Sequence, residues 1–219
     1  MNIKIASYNI KNGELMGYDF GILAQDILDH GLEIIGFQEV ELNTTRNKNQ
    51  DTMAIIAEKT GYFYHYAPAM PYRGGKFGNG LLSKYPIISC EDIKLPMSDD
   101  PTDQQRVAIH AKIDVNGTVI DFFTTHLTQC VADKQLEKIS EYTKNCDRFI
   151  LSGDYNYSNF DLFYDIFKGA HLAHTSLVTT IDGYKFDNFV MSPNVTCKSC
   201  NVIDTKHSDH YVLVSEITI

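Results

Sequence analysis

The chain has 219 residues, of which 43% are hydrophobic and 21% are charged. This balance excludes a disordered chain, a collagen-like repeat and a pure coiled coil. The formal net charge of −9 argues against a generic basic nucleic-acid clamp, because neutralising phosphates requires clustered lysine and arginine side chains.

The length predicts one domain spanning residues 1–219, since domains average roughly 100–200 residues. Met1–Ile10 lacks the long apolar run of a signal peptide and is typical of a strand. No apolar stretch approaches the roughly 18 residues that a membrane-spanning helix needs. Five cysteines without a leader are typical of reduced thiols. We therefore expect a cytoplasmic monomer without a transmembrane segment.

Strand-like segments recur along the whole chain. Alternation of apolar and polar residues in Val107–Asp114 predicts a strand with one buried face, and Asn116-Gly117 after it predicts a hairpin turn. In chain order, the predicted strands are Lys4–Asn9, Glu33–Gln38, Tyr62–Ala67, Asn79–Ser83, Ile87–Ile93, Val107–Asp114, Val119–Thr125, Arg148–Ser152, Phe186–Met191 and Tyr211–Ile217.

Helical periodicity alternates with these strands. It predicts helices at Phe20–His30, Thr52–Thr60, Val131–Thr143 and Asn159–Phe167, with a glycine, Gly61, ending the second. Hairpins mixed with strand–helix–strand units imply mixed sheets, and about ten strands are too many for one open sheet. We predict an α/β fold of two packed mixed β-sheets flanked by helices, a four-layer sandwich.

Polar residues follow the apolar strands at their C-terminal ends, where sheet-based sites are usually built. Asn9 closes the first strand and Glu39 the second, so an amide oxygen and a carboxylate could bind a hard cation there. A solvated strand end is the alternative for Glu39. His126 follows the strand Val119–Thr125, and a structural histidine is the alternative there.

Two further carboxylates stand in strand contexts. Asp154 follows Gly153 and precedes Asn156 by two residues, so a charge and a neutral donor could face one phosphoryl oxygen or water. An Asx turn that caps the next helix is the alternative. Asp187 enters an otherwise apolar strand, where a buried carboxylate needs a partner such as a histidine. An edge strand with Asp187 facing water is the alternative.

The strongest local signal is Ser208-Asp209-His210, just before the last strand. Adjacent acidic and imidazole groups can serve a metal and a nucleophilic water, respectively. A polar turn is the alternative.

Two other patterns carry less weight. Cys197 and Cys200 form a single C-x-x-C within Asn194–Asn201, which we predict to be a loop, and a zinc site would need further ligands. We interpret them as incidental thiols. The glycine-rich Gly74–Gly80 is either a phosphate cradle or a tight turn.

Taken in order, the motifs S-Y-N, Q-E, G-N-G-L-L-S-K-Y-P-I, Q-R-V-A, T-H-L, G-D-Y-N, F-D-N-F-V-M-S and S-D-H resemble the endonuclease/exonuclease/phosphatase superfamily. That superfamily includes deoxyribonuclease I, abasic-site endonucleases, neutral sphingomyelinases and inositol-phosphate 5-phosphatases. The similarity runs from Ile5 to about Val214 and is greatest to small bacterial members that share the pattern of Tyr72–Ile87.

The resemblance implies a deoxyribonuclease I-like sandwich and phosphoester hydrolysis that depends on Mg²⁺ or Mn²⁺. Glu39 is then the main metal ligand, assisted by Asn9 and Asp209. Asp154 orients or deprotonates the attacking water, and Asn156 holds a phosphate oxygen.

The remaining roles implied by the resemblance concern the phosphate and the leaving group. His210 contacts the scissile phosphate or acts as a base, and Asp187 orients it. His126 binds phosphate or assists the leaving group. Arg106 and Asn79 are the predicted substrate-binding residues.

Some positions depart from the abasic-site endonucleases. Lys11 stands where those enzymes carry an acidic residue, and His126 stands where they carry a tyrosine. The segment from Asn156 to Asp187 is also short for DNA-embracing loops.

We therefore expect a metal-dependent phosphodiesterase or phosphatase that acts on a small or lipid-like phosphoester. A nuclease with the same site and a non-catalytic scaffold are the alternatives. Six basic residues in the loops could hold a polyphosphate or a short nucleic acid: Lys11, Arg46, Lys48, Arg73, Lys76 and Arg106. We expect leaving-group specificity in the loops 43–50, 71–80 and 95–105.

Overall fold

Two six-stranded mixed sheets form the centre of the molecule in a computed structural model that describes residues 1–219. The strands are β1 (Asn2–Asn9), β2 (Ile34–Leu42), β3 (Phe63–Tyr72), β4 (Gly75–Ser83), β5 (Ile87–Lys94), β6 (Val107–Val115), β7 (Thr118–His126), β8 (Phe149–Asp154), β9 (His171–Leu172), β10 (Asp187–Met191), β11 (Thr196–Ile203) and β12 (Val212–Thr218). The helices are α1 (Phe20–Asp29), α2 (Thr52–Thr60), α3 (Ala132–Thr143) and α4 (Asp161–Ile166), and two 3₁₀ helices span Lys11–Met16 and Gln129–Val131.

Each sheet contains one parallel pair among antiparallel neighbours. The first sheet has the strand order β11-β12-β1-β2-β4-β3, and the second has the order β5-β6-β7-β8-β10-β9. Strands β1 and β2 run parallel, with Asn9 opposite Gln38, and β7 and β8 run parallel, with His126 opposite Asp154. Because the carboxyl ends of parallel strands meet at one edge, these two pairs bring their terminal polar residues together.

Three apolar cores make the sandwich four layers deep. Ile5 and Phe122 belong to the core between the sheets. Leu23 of α1 belongs to a second core on the outer face of the first sheet, and Leu136 of α3 to a third on the outer face of the second sheet. The predicted two-sheet, four-layer α/β sandwich is therefore confirmed.

The two sheets approach closely beneath the polar edge. A Cβ atom on Gly36 would lie 2.3 Å from Thr124 Oγ1 and 2.4 Å from Ser152 Oγ, so only glycine fits there. Gln38 Nε2 donates to Thr124 Oγ1 at 3.0 Å, which joins β2 to β7 across the interface. This buried polar layer fixes the carboxyl ends of the two sheets relative to each other.

All ten predicted strands and all four predicted helices occur, with ends displaced by at most five residues. Gly61 ends α2 in the left-handed conformation, and Asn116 and Gly117 form the β6–β7 turn with positive φ. Arg73 and Gly74, with φ of 44° and 83°, form a two-residue turn between β3 and β4. The glycine-rich segment is therefore a tight hairpin turn and the start of β4.

The loop predicted for Asn194–Asn201 is wrong for residues 196–201, because these residues lie in the edge strand β11. A β-bulge between Cys197 and Ser199 breaks the two-residue alternation, so that both Cys197 and Cys200 pack against the core between the sheets. All five cysteines are free thiols. None of the helices is both long enough and apolar enough to cross a membrane.

Candidate active site

The candidate active site lies where the carboxyl ends of β1, β2, β7 and β8 meet. Glu39 sits at a bulge in β2, between Phe37 and Val40, and has a φ of 58°. A positive φ in a non-glycine residue costs about 1–3 kcal/mol. The bulge directs the Glu39 carboxylate towards the edge where the two sheets meet.

The Asn9 side chain joins the two sheets at this edge. Its Nδ2 donates to Glu39 Oε1 at 3.3 Å and to Asp154 Oδ2 at 2.9 Å, while its Oδ1 accepts from the Lys11 backbone N–H at 3.0 Å. In this orientation Asn9 positions the two carboxylates, and its amide oxygen is already engaged. Its predicted role as a metal ligand stays a prediction.

The Glu39 carboxylate has no cationic side chain within ion-pair distance. Burial raises the pKa of Glu39, the charge of Asp154 raises it further, and the hydrogen bond from Asn9 acts in the opposite direction. Two carboxylates therefore share a single amide donor. This is the oxygen-rich donor set that hard divalent cations such as Mg²⁺ and Mn²⁺ prefer, so the residues present fit such an ion.

Asp154 is 1% exposed and stands at the centre of the site. Burial opposes its ionisation, but the His126 and His210 imidazoles and the hydrogen bond from Asn9 hold its pKa below the usual range. The Asp154 carboxylate is therefore ionised at neutral pH and is available to accept a proton or to orient a water.

Asp187 and His210 form a buried pair beside Asp154. Asp187 Oδ2 lies 2.9 Å from His210 Nδ1, and His210 Nε2 lies 3.7 Å from Asp154 Oδ2. Burial opposes the charged ring, but the bond to Asp187 outweighs it and raises the pKa of His210 to about 9. Burial raises the pKa of Asp187 to about 6. At neutral pH the pair is therefore an imidazolium and a carboxylate.

The alternative of an edge strand with Asp187 facing water is wrong. Asp187 is fully buried, and its strand β10 lies between β8 and β9. The contact with His210 is the one that a buried carboxylate at this position was expected to need.

His126 has the opposite electrostatic environment. Its Nδ1 lies 3.0 Å from Arg106 Nη1, and a guanidinium can only donate, so Nδ1 is an acceptor. Burial and the Arg106 charge lower the pKa of His126 to about 3. The ring is therefore neutral and carries its proton on Nε2.

Asn156 completes this part of the site. Its backbone N–H donates to Asp154 Oδ1 at 3.0 Å, which is the Asx turn considered as an alternative, but no helix is capped by it because α4 begins at Asp161. Its Nδ2 donates to the Leu127 carbonyl and lies 2.9 Å from His126 Nε2. His126 Nε2 also lies 3.4 Å from Asp154 Oδ2, so its N–H lies beside both the Asn156 amide and the Asp154 carboxylate.

Asp209 lies at the rim of the site and forms an ion pair with Lys11. Lys11 Nζ lies 2.9 Å from Asp209 Oδ2, and Ser208 Oγ, 3.3 Å from Asp209 Oδ1, donates to the Asn9 carbonyl at 2.7 Å. Metal binding by Asp209 would require Lys11 to move away. The lysine that departs from the abasic-endonuclease pattern is therefore the partner of a predicted ligand, a contact that local sequence patterns do not reveal.

Asn79 is 3% exposed and donates from Nδ2 to the Val107 carbonyl at 2.8 Å. This contact joins β4 to β6 inside the molecule. It does not support the predicted substrate-binding role, which stays a prediction.

A cavity of about 190 Å³ opens beside Glu39 and His126. Its other lining residues are Arg46, Met70, Tyr72, Phe77, Gln104 and Arg106. Residues 43–50, 71–80 and 95–105, expected to carry specificity, supply four of these six, whereas Met70 was not singled out from the sequence. A larger cavity of about 780 Å³ near α3 and α4 shares no residue with the site.

A second cluster combines His110, Asp121 and Cys146 on the outer face of the second sheet. Asp121 Oδ1 already lies 2.7 Å from both His110 Nε2 and Lys112 Nζ. The Asp121 charge is thus compensated by side chains of the protein itself, in contrast to the charge of Glu39.

Comparisons with known proteins agree with this architecture. Residues 17–152 match the model of a family described as PGAP2IP, C-terminal nuclease-like domain. The chain is 28% identical over 118 residues to protein cwh43 of Schizosaccharomyces pombe, a match that covers 54% of this chain and only 11% of the yeast protein.

Solved structures share the fold at low sequence identity. An endonuclease/exonuclease/phosphatase from Bacteroides vulgatus superposes with a TM-score of 0.80 at 18% identity, covering 100% of this chain and 99% of that one. The human Nocturnin catalytic domain gives 0.77 at 18% identity, covering 99% and 93%. A mannosyl-6-phosphatase from Bacteroides thetaiotaomicron gives 0.73 at 17% identity, covering 99% and 100%.

Proposed function

Because the chain belongs to the endonuclease/exonuclease/phosphatase superfamily, in the family of PGAP2IP C-terminal nuclease-like domains, we propose that it is a divalent-metal-dependent phosphoester hydrolase. The observation that carries the proposal is the convergence of Glu39, Asp154 and His210 on one edge, joined by the Asn9 amide and backed by Asp187. We further propose that residues 1–219 act as one catalytic unit, since both sheets supply site residues.

The cation is Mg²⁺ or Mn²⁺ in this proposal. Glu39 would hold it, with Asn9 and Asp209 at its sides. When bound, such an ion offsets the carboxylate charges and polarises a phosphoryl oxygen.

The side chains around Asp154 suit in-line attack by water. Asp154 is ionised and accepts the proton of the attacking water. His210, as an imidazolium at neutral pH, donates to a phosphoryl oxygen and offsets the charge that develops there. Its protonation favours this role over that of a general base.

His126 and Asn156 are the proposed phosphate-binding pair. Because His126 Nε2 carries the proton, it and Asn156 Nδ2 are both donors, only 2.9 Å apart. A phosphoryl oxygen placed against them would accept hydrogen bonds from both, whereas neither can satisfy the other.

The substrate class that we favour is a small or lipid-like phosphoester. The runner-up is nucleic acid, which the nuclease-like description of the family supports. Two of the basic residues expected to hold a polyanion are already paired, Arg46 with Glu41 and Lys11 with Asp209. This internal pairing and the net charge of −9 favour the smaller substrate.

Metal removal tests the proposal. The purified chain would be assayed with phosphomonoesters, phosphodiesters, phospholipids, RNA and DNA, each with Mg²⁺, with Mn²⁺ and with excess chelator. We expect turnover of at least one ester with metal, loss of at least about a hundredfold in chelator, and recovery when metal is restored. Full activity in excess chelator would remove the cation from the mechanism, and no turnover of any ester with either metal would contradict the proposed function.

A further inference from the structure

The cavity beside Glu39 and His126 contains a guanidinium without an anionic partner. Arg106 is partly buried, its Nη1 contacts His126 Nδ1, and its Nε has neither a hydrogen-bond partner nor contact with solvent. No carboxylate lies within ion-pair distance of it. By contrast, Arg46 on the same cavity donates from Nε to Glu41 Oε1 at 2.7 Å and is thereby neutralised.

A buried cation without a partner is costly, and this cost is relieved when an anion binds. Burial lowers the pKa of Arg106, which agrees with a guanidinium that lacks compensation. Three carboxylates, Glu39, Asp154 and Asp103, act on it from beyond ion-pair distance, and the first two are the groups expected to share a divalent cation.

A phosphate held by His126 Nε2 and Asn156 would not fill this position. Asn156 Nδ2 lies at His126 Nε2, whereas Arg106 Nη1 lies at His126 Nδ1, on the other side of the ring. A phosphoryl group bound to Asn156 and Nε2 therefore leaves Arg106 facing a separate volume.

The cavity walls indicate what connects the two anions. Met70, Tyr72 and Phe77 are the apolar side chains of an otherwise polar lining, and Arg46 stacks on the Tyr72 ring with its Cζ 4.8 Å from the ring centroid. Pockets for drug-sized ligands measure roughly 300–1,000 Å³. A cavity of about 190 Å³ takes only a short carbon segment with one polar end.

We propose that this cavity is a binding subsite for a second anionic group of the substrate, a phosphate or carboxylate on a short carbon chain, and that Arg106 binds this group. The proposal rests on the proposed function, because it places the reacting phosphate at Asn156 and His126.

Non-hydrolysable probes test the subsite without turnover. Calorimetry in Mg²⁺ would compare propane-1,3-bisphosphonate, 3-phosphonopropionate and propylphosphonate. Two of these probes, the bisphosphonate and 3-phosphonopropionate, carry a second anionic group. We expect at least one of them to bind about tenfold or more tightly than propylphosphonate, as a charge-assisted hydrogen bond predicts. The tighter of these two identifies phosphate or carboxylate as the preferred group.

Variants assign this preference to Arg106. In Arg106→Gln the affinity ratio should fall to within about twofold of one, and in Arg106→Lys, which keeps a point charge, it should be intermediate. Arg148→Gln is the matched control. Arg148 precedes β8 at the end of the strand away from Asp154, so this variant removes the same charge far from the site and should keep the wild-type affinity ratio.

The subsite proposal is overturned if the wild-type ratio is close to one, if no probe binds, or if Arg106→Gln keeps the preference. Hydrolysis of simple esters without this preference would leave the proposed function intact and remove the subsite. If the probes show this preference but no ester is hydrolysed, the subsite stands and the proposed function is contradicted.

Discussion

Replacing Glu39 with glutamine should lower turnover by roughly a thousandfold and raise the thermal stability of the metal-free protein. Turnover falls because the cation loses its main carboxylate. Stability rises because the pKa of Glu39 is raised in the folded state, so ionising it at neutral pH costs stability. That cost is absent below the pKa of the unfolded chain and grows as the pH rises through the folded pKa. Melting temperatures in chelator and initial rates in Mg²⁺ measure the two effects.

Glu33→Gln is the matched control for this prediction. Glu33 comes directly before the first residue of β2, away from Glu39. Its carboxylate accepts hydrogen bonds from the Lys4 backbone N–H and Tyr85 Oη, and its pKa is lowered despite its partial burial. This variant should therefore keep turnover and lose stability at neutral pH. If Glu39→Gln keeps wild-type turnover, or is destabilised as Glu33→Gln is, the assignment of Glu39 to the cation is wrong.

The second large effect concerns the charge on His210. With its pKa raised to about 9, the wild-type value of kcat/KM should fall as the pH rises through about 9. Asp187→Asn removes the paired carboxylate, so burial then dominates and this alkaline limb should move to about pH 6.5 or below. At about pH 8 the value of kcat/KM for the variant should be at least thirtyfold lower than for wild type, because only a small fraction of its His210 is then an imidazolium.

The same titration predicts the stability of the pair. Because the pKa of His210 is raised on folding, its pairing with Asp187 stabilises the protein at neutral pH, and this contribution is lost as the pH rises through about 9. The difference in unfolding free energy between wild type and Asp187→Asn should thus be larger at about pH 7 than at about pH 10. A wild-type rate that instead increases through an alkaline pKa would indicate that His210 acts as a base.

The sequence predicts the fold well because its strands carry clear alternation and end in recognisable turn residues. Strand β11 escaped prediction because its bulge places Cys197 and Cys200, three residues apart, on the same face. Alternation is the signal that identifies a half-buried strand, and a bulge removes it.

The sequence predicts which residues converge at the candidate site, but it predicts only some of the contacts between them. The contact between Asp187 and His210 follows from the need of a buried carboxylate for a partner. Arg106 and His126 lie at adjoining ends of the paired strands β6 and β7, and Lys11 and Asp209 flank the paired strands β1 and β12, so both pairings depend on strand register and side-chain orientation within one sheet. No local pattern specifies them.

The backbone at Glu39 shows the same limit. Its positive φ and the bulge in β2 direct its carboxylate, but glutamate is not a residue type that signals a left-handed conformation. The motif Q-E therefore locates the carboxylate on a strand without indicating the turn that brings it towards Asp154.

The most direct measurement is phosphate-ester turnover by wild type and Asp154→Asn, purified identically and assayed side by side in Mg²⁺. The substitution keeps the shape of a side chain that is 1% exposed and removes the charge proposed to orient the water, and it also controls for contaminating phosphatases. The proposed function predicts hydrolysis by wild type and a rate lower by about a thousandfold or more in the variant. Equal rates for the two proteins would contradict it.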